Sequence, residues 1–184
     1  MITLTKIRPV AIISLVAVAA ATAACLAGCS SKPATPGQYT STKDGFTIIA
    51  PTTWEKKEGF MGSTVLFLEP QAEPSDTFRE NVNVVVEKLP SGMGLDGYVK
   101  ASNDNMAKLM TDYSEISSAR VKLGGNDAQR IVYQHRMGVY NLKVLIYLVV
   151  QGGRGYVLTC SATVDQYDSH EPTFEDTCKT FQTQ

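Results

Sequence analysis

The residues of this 184-residue chain that could do chemistry are four cysteines, two histidines and a scattered set of carboxylates. A thiol beside an imidazole can act as an activated nucleophile, so Cys160 or Cys178 with His135 or His170 would make a thiol-dependent enzyme. That chemistry needs both groups within hydrogen-bonding distance, and nothing in the spacing of these residues brings them together. A thiol-dependent enzyme is therefore the minor functional hypothesis.

A glycine-rich segment carries a second candidate chemistry. Gly92–Gly97 has the G-x-G-x-x-G spacing of a dinucleotide-binding loop and precedes a predicted helix. A dinucleotide site also needs a buried parallel strand after that helix, whereas residues 116–123 alternate polar and apolar side chains and lead into a tight turn. The sequence therefore favours a flexible helix start over a cofactor site.

Histidine and carboxylate motifs near the carboxyl terminus are equally incomplete. His170-Glu171 begins like a zinc-protease motif, but position 174 is Phe, so the second histidine is missing. The carboxylates of Glu171, Glu175 and Asp176 are typical of a solvated helix start, where the helix dipole favours negative charge, rather than of a calcium site. We therefore predict no catalytic residue, no metal site and no cofactor.

Composition limits the classes of partner. The chain has 17 Lys and Arg against 18 Asp and Glu, and 43% of its residues are hydrophobic. Removing residues 1–28, which hold Lys6 and Arg8, leaves 15 basic against 18 acidic residues. This balance suits one globular domain and gives no surplus of positive charge for phosphates, so no nucleic-acid partner is expected.

The amino terminus has the pattern of an export signal. Lys6 and Arg8 precede an apolar run over residues 10–26, which a permanent membrane span would also explain at its lower length limit. The run closes with Leu26-Ala27-Gly28-Cys29, which resembles the lipobox of bacterial lipoproteins. The resemblance implies cleavage after Gly28 and lipidation of Cys29, so that acyl chains hold the protein at the extracytoplasmic face of the cell membrane.

This location determines the expected redox state of the remaining cysteines. Cys25 leaves with the signal peptide and Cys29 carries lipid, which leaves Cys160 and Cys178 as an even pair in an oxidising compartment. A disulfide between them is the simple interpretation, and two buried free thiols are the alternative. Residues 29–38 are polar and hold two prolines, so they predict a flexible tether before a globular domain at residues 39–184.

Hydrophobic patterning of the domain predicts an α+β fold. Asp44-Gly45 indicates a hairpin, and further strands are predicted at residues 64–68 and 81–88. A helical stripe follows, at Leu95, Tyr98, Val99, Ser102, Met106, Leu109 and Met110. Residues 116–163 are typical of an antiparallel meander, in which Arg130, Val132 and Gln134 alternate with Ile131, Tyr133 and His135, as expected of a sheet with one face toward a core. Pro172 predicts the first turn of a closing helix, whose face of Phe174, Cys178 and Phe181 would lie on the sheet.

Several of these segments resemble the PsbP-like group. The matching features are Gly45-Phe46-Thr47-Ile48, Pro51 with Trp54, the Leu123-Gly124-Gly125 hairpin and the strand at residues 156–159. The resemblance implies a central antiparallel sheet packed by a long middle helix and a carboxyl-terminal helix. Family members include photosystem accessory proteins, a small-GTPase partner and exported lipoproteins, and their ligand sites cannot be placed on positions here.

Two main functions remain. The first is a non-enzymatic accessory or protein-interaction module of the cell envelope, anchored through Cys29. The second is a carrier of a small ligand or lipid in a cavity between sheet and helix, with these expected lining residues: Leu66, Tyr98, Met106, Tyr133 and Tyr147. A groove edged by Trp54, Phe60 and Met61 is a further candidate surface, with an apolar staple as its alternative.

Overall fold

The computed structural model describes residues 35–74 and 77–184. The predicted export signal and lipidation site, Cys29 included, lie outside the described residues. Neither α-helix in the described part is long and apolar enough to cross a membrane.

Ten strands and two helices make up the described domain. The strands are β1 Gln38–Ser41, β2 Phe46–Ile49, β3 Glu55–Glu58, β4 Val65–Leu68, β5 Asn81–Lys88, β6 Thr111–Leu123, β7 Asn126–Met137, β8 Tyr140–Gln151, β9 Arg154–Thr163 and β10 Gln182–Thr183. The helices are α1 Leu95–Leu109 and α2 Tyr167–Lys179, and a short 3₁₀ turn covers Phe60–Gly62.

A seven-stranded antiparallel sheet in the order β3-β4-β5-β9-β8-β7-β6 forms the centre of the fold. A second, three-stranded sheet joins β1, β2 and β10, so the last strand returns beside the first hairpin. The predicted α+β class and antiparallel meander are confirmed. β10 was not predicted, because two residues carry too little pattern to mark a strand.

Both faces of the large sheet are covered. Along β8, Leu145, Tyr147 and Val149 belong to the core shared with α2, and the alternate residues Ile146 and Leu148 belong to the core beneath α1. Strand residues point alternately to opposite faces, so this is one sheet between two helical layers. The sequence predicts one core-facing side of β7, whereas the structure buries residues on both of its sides, Val132 toward α2 and Ile131 toward α1.

Two details of the helices also differ from the sequence-based predictions. α2 begins at Tyr167, five residues before Pro172, because the fully buried Tyr167 ring packs against Phe174 and anchors an additional turn. In α1, Tyr98 and Met106 are buried as predicted, but Leu109 at the last helical position is exposed. The predicted stripe therefore fails at Leu109, while the following Met110 packs against the core beneath α1.

Candidate functional site

One histidine and two glutamates lie close together, near the end of β4, the beginning of β5 and the beginning of α2. Glu69 directly follows β4 and Glu80 directly precedes β5, and the Glu69 amide donates to the Glu80 carbonyl at 2.8 Å. His170 comes from the first turns of α2. Its Nε2, one oxygen of Glu69 and one oxygen of Glu80 all lie within 4.8 Å of one another. These three side chains, the Glu69–Glu80–His170 cluster, are the candidate site.

The imidazole of His170 is held from both sides. Its Nδ1 donates to the backbone carbonyl of Gln166 at 2.8 Å, and its Nε2 lies 2.7 Å from Oε2 of Glu69. Burial alone would lower the pKa of His170, but the Gln166 carbonyl and the Glu69 carboxylate outweigh it and raise that pKa above its ordinary value. The ring is thereby fixed in orientation and favoured in its charged form.

Glu80 is the buried member of the cluster, with 6% of its surface exposed. Burial raises the pKa of the Glu80 carboxyl, and hydrogen bonds from backbone amides oppose that shift only in part. The cluster opens into a cavity of about 530 Å³ whose other walls include Thr77, Phe78, Tyr140 and Asp165. A ligand in this cavity would therefore meet the three side chains of the cluster and the carboxylates of Glu73 and Asp165.

The sequence analysis did not find this cluster. It noted His170 for a helical zinc motif with a ligand four residues later, and the structure instead supplies partners from residues 101 and 90 positions away in the chain. Glu69 and Glu80 do flank two predicted strands that pair as a hairpin. That flanking position is the one signal that could have placed the two carboxylates side by side.

The two cysteines of the domain lie together in the core. Cys160 on β9 and Cys178 on α2 are both fully buried, with 3.4 Å between their sulfur atoms and no disulfide bond joining them in this structure. Burial raises the pKa of the Cys160 thiol well above its ordinary value, which disfavours the nucleophilic thiolate. The predicted proximity of the pair is therefore found, and a disulfide between them stays a prediction.

Neither histidine is placed to activate these thiols. His135 stacks beside Tyr133 on the α1 side of the sheet, whereas Cys160 belongs to the core on the α2 side. Both ring nitrogens of His170 are engaged by Gln166 and Glu69. The cysteine–histidine arrangement considered for a thiol-dependent enzyme is not formed in the described residues.

The carboxylates of α2 have partners on the sheet. Glu175 Oε1 accepts from Arg130 Nε at 2.8 Å and Glu175 Oε2 accepts from the Tyr147 hydroxyl at 2.7 Å. Glu171 pairs with the same guanidinium at 3.2 Å. The prediction of a solvated charged face was wrong for Glu175, which is a half-buried link between helix and sheet.

The residues expected to line a carrier cavity do not surround one space. Tyr98, Met106 and Tyr133 pack in the core beneath α1, and Tyr147 packs in the core on the opposite face of the sheet. Leu66 lies half-buried on β4, toward the other end of the sheet's strand order. A single sheet–helix cavity lined by all five side chains is therefore absent from the described domain.

The remaining candidate segments take separate roles. Residues 92–97 line an open surface cavity together with Arg120 and Asp127. The strand that follows α1 is β6, an antiparallel strand at the edge of the sheet, whereas a dinucleotide site needs a buried parallel strand there.

The three residues of the predicted groove are divided between core and surface. Trp54 packs edge-on against Phe174, while Phe60 and Met61 stay exposed in the 3₁₀ turn. Trp54 thus belongs to the core, and the other two belong to the surface.

A group of exposed apolar side chains lies close to the candidate site. Met137 and Val139 flank the β7–β8 turn, and Val164 follows β9, with its amide donating to the Asn141 carbonyl at 3.0 Å. Tyr140, at the start of β8, contacts Phe78 in the wall of the cavity. We call Met137, Val139 and Val164 the hairpin patch. It adjoins the cavity of the Glu69–Glu80–His170 cluster through Tyr140.

Comparison with known proteins gives one family match. The PsbP family model matches residues 36–183 of this chain. No protein in a search of curated proteins matches it.

Several solved structures share the fold. Cyanobacterial PsbP (CyanoP) from Synechocystis sp. PCC 6803 is 19% identical, with a TM-score of 0.62 over 85% of this chain and 98% of that one. LpqN of Mycobacterium tuberculosis, described as involved in cell envelope biogenesis, is 14% identical, with a TM-score of 0.62 over 80% and 90% of the two chains. The Saccharomyces cerevisiae Ran-binding protein Mog1p is 8% identical, with a TM-score of 0.56 over 79% and 94%.

Proposed function

This chain belongs to the PsbP family, and we propose that it is a non-enzymatic accessory module of the cell envelope, anchored by lipid at Cys29 and binding a protein partner through the hairpin patch. A relative of the same fold, LpqN, is described as involved in cell envelope biogenesis. The lipobox resemblance at Leu26-Ala27-Gly28-Cys29 supports the anchor.

The observation that carries the proposal is the exposure of the hairpin patch. Val139 is 87% exposed, Met137 is 50% exposed and Val164 is 39% exposed, and all three lie at the end of the sheet that holds the β7–β8 turn. Leu109 adds to the same end of the sheet, because it ends α1 two residues before Thr111, which pairs with Arg136 next to Met137. A group of exposed apolar side chains at one end of a domain is the kind of surface through which proteins bind partners.

The burial of both thiols supports a binding role over thiol-dependent catalysis. Within residues 35–74 and 77–184, both thiols are buried and neither contacts a histidine. A binding surface needs only shape and apolar area, which the hairpin patch offers. The proposed partner is therefore an envelope protein with a complementary apolar surface.

Crosslinking followed by affinity capture from the protein's own cells tests the partner. We expect the wild type to retain a partner that is lost with Val139→Ser. Met61→Ser is the matched control, since Met61 is 88% exposed in the 3₁₀ turn that precedes β4, outside the hairpin patch. Equal capture by Val139→Ser and Met61→Ser would overturn the role of the hairpin patch.

Metabolic feeding with an alkynyl fatty acid tests the anchor separately. The wild type should carry the label and sediment with membranes, and Cys29→Ser should lose the label. An unlabelled wild-type protein in the cytosolic fraction would show that the anchor and the envelope location are wrong. The capture experiment with Val139→Ser would still test the hairpin patch in that case.

A further inference from the structure

The Glu69–Glu80–His170 cluster combines the ligand atoms that zinc uses in proteins. Zinc is bound by histidine nitrogen and carboxylate oxygen, with bonds of about 2.0–2.2 Å, and tetrahedral geometry then separates the ligand atoms by about 3.4 Å. In the structure, Nε2 of His170 and Oε2 of Glu69 are 2.7 Å apart, and all three ligand atoms lie within 4.8 Å. Side-chain shifts of about 1 Å would bring the set to zinc-binding distances.

Glu80 is the second, independent observation. Its side chain is more than nine-tenths buried and lines the cavity beside His170. Within the described part of the chain, no lysine or arginine forms an ion pair with this carboxylate, whereas the more exposed Glu55 and Glu175 are each paired with an arginine. Backbone amides and the imidazole of His170 offset part of the cost of burying this carboxylate, and a divalent ion in the cluster would offset more of it.

The backbone already orients His170 as a metal ligand. Metal-binding histidines commonly donate their second ring N–H to a carbonyl or carboxylate, which fixes the ring and its tautomer. Nδ1 of His170 donates to the Gln166 carbonyl at 2.8 Å, and Nε2 is directed at Glu69. Metal binding would release the Nε2 proton to solvent and leave the Nδ1 hydrogen bond in place.

We propose that Glu69, Glu80 and His170 bind one zinc ion, with a fourth position open to the cavity. Calcium and magnesium prefer sites made wholly of oxygen ligands, so the imidazole selects a zinc-class metal. A water molecule, or a donor atom from a ligand in the cavity of about 530 Å³, would complete the coordination. This inference stands apart from the hairpin patch and from the lipid anchor.

Isothermal titration with zinc chloride tests the site, using the untagged full-length protein in detergent after removal of metals with EDTA. We expect one zinc ion per chain, and at least about tenfold weaker binding for Glu69→Gln, Glu80→Gln and His170→Asn. Glu73→Gln is the matched control, because Glu73 lines the same cavity outside the cluster. Zinc binding that is absent, or equally weakened in the control, would overturn the proposal.

Nuclear magnetic resonance gives a second readout that needs no variant to fold. The chain has two histidines, so the ring nitrogens of His135 serve as an internal reference. Zinc should shift the Nε2 resonance of His170 and leave both nitrogens of His135 unchanged. Zinc bound without a change at His170 would contradict the proposed site.

Discussion

Arg130 on β7 and Glu175 on α2 form a half-buried ion pair across the interface between sheet and helix, with 2.8 Å between Nε and Oε1. The second oxygen of Glu175 accepts from Tyr147 on the neighbouring strand β8. One carboxylate thus joins two strands to one helix. Its side chain is 19% exposed, so its partners are screened only in part by water.

Arg130→Met tests the contribution of this link to stability. It removes the cation and leaves the half-buried Glu175 carboxylate with Tyr147, so we expect the free energy of unfolding to fall by about 1–3 kcal/mol. Lys100→Met is the control, because it breaks an exposed ion pair with Asp104 that is worth less than about 1 kcal/mol. Urea denaturation measures both, and equal losses would contradict the assigned role of Arg130.

Local patterns predicted most of the strands and both helices. Pairs of strands joined by short glycine turns, such as Gly124-Gly125 and Gly152-Gly153, can pair only as antiparallel neighbours. The start of α2 was misplaced because the usual position of proline in a first turn outweighed the apolar signal of Tyr167. Tertiary packing of one aromatic ring decided that boundary.

The candidate site could not be predicted in the same way. Glu69 and Glu80 are eleven residues apart, but His170 reaches them from a helix about one hundred residues later. Sequence periodicity tells which face of an element is buried, and it does not tell which loop ends meet at an edge. The burial of Glu80 was equally invisible, since a single glutamate before a strand is ordinarily exposed.

The redox state of the cysteine pair is a second prediction. The sulfurs of Cys160 and Cys178 lie 3.4 Å apart in the core, and an exported protein would meet oxidising conditions. We expect protein isolated from its own cells to react with a thiol reagent after denaturation only if it is first reduced. Reduction should lower the free energy of unfolding by about 3 kcal/mol. Labelling of both residues without reductant would show that they are free thiols.

The two histidines should titrate on opposite sides of their ordinary pKa. Burial lowers the pKa of His135. For His170, the Gln166 carbonyl and the neighbouring Glu69 and Glu80 carboxylates overcome the opposite effect of burial and raise the pKa. Nuclear magnetic resonance of the metal-free protein measures both values, and His135→Gln assigns the signals. A His170 pKa below that of His135 would contradict the described contacts.

The direction of each shift fixes its effect on stability. Because the pKa of His170 is raised by folding, its stabilising contribution is complete below the unfolded pKa and is lost as pH rises through the folded pKa. His135 acts in the opposite sense. Its folded pKa is lowered, so the folded state is penalised as pH falls below the unfolded pKa. His170→Asn should therefore remove stabilisation at acidic pH, and His135→Gln should not.

The turn between β6 and β7 gives the last prediction, because its two glycines differ in their surroundings. Both have positive φ, at 56° for Gly124 and 80° for Gly125. A Cβ on Gly124 would lie 2.5 Å from the carbonyl oxygen of Phe181, whereas one on Gly125 would meet nothing within 4 Å. Phe181 is fully buried and precedes β10, so its backbone cannot move without disturbing the small sheet.

Gly125→Ala should therefore lower the free energy of unfolding by about 1 kcal/mol, which is the cost of holding an alanine in the left-handed backbone conformation. Gly124→Ala should cost that amount and about 1–3 kcal/mol more, since the chain must also relieve an overpacked contact. Urea denaturation of the two variants measures the difference, and hydrogen exchange at Thr183 should rise in Gly124→Ala alone. If both variants lost the same free energy of unfolding, the carboxyl-terminal segment would not pack against this turn. The pairing of β10 with β2 would then have to be stabilised by other contacts.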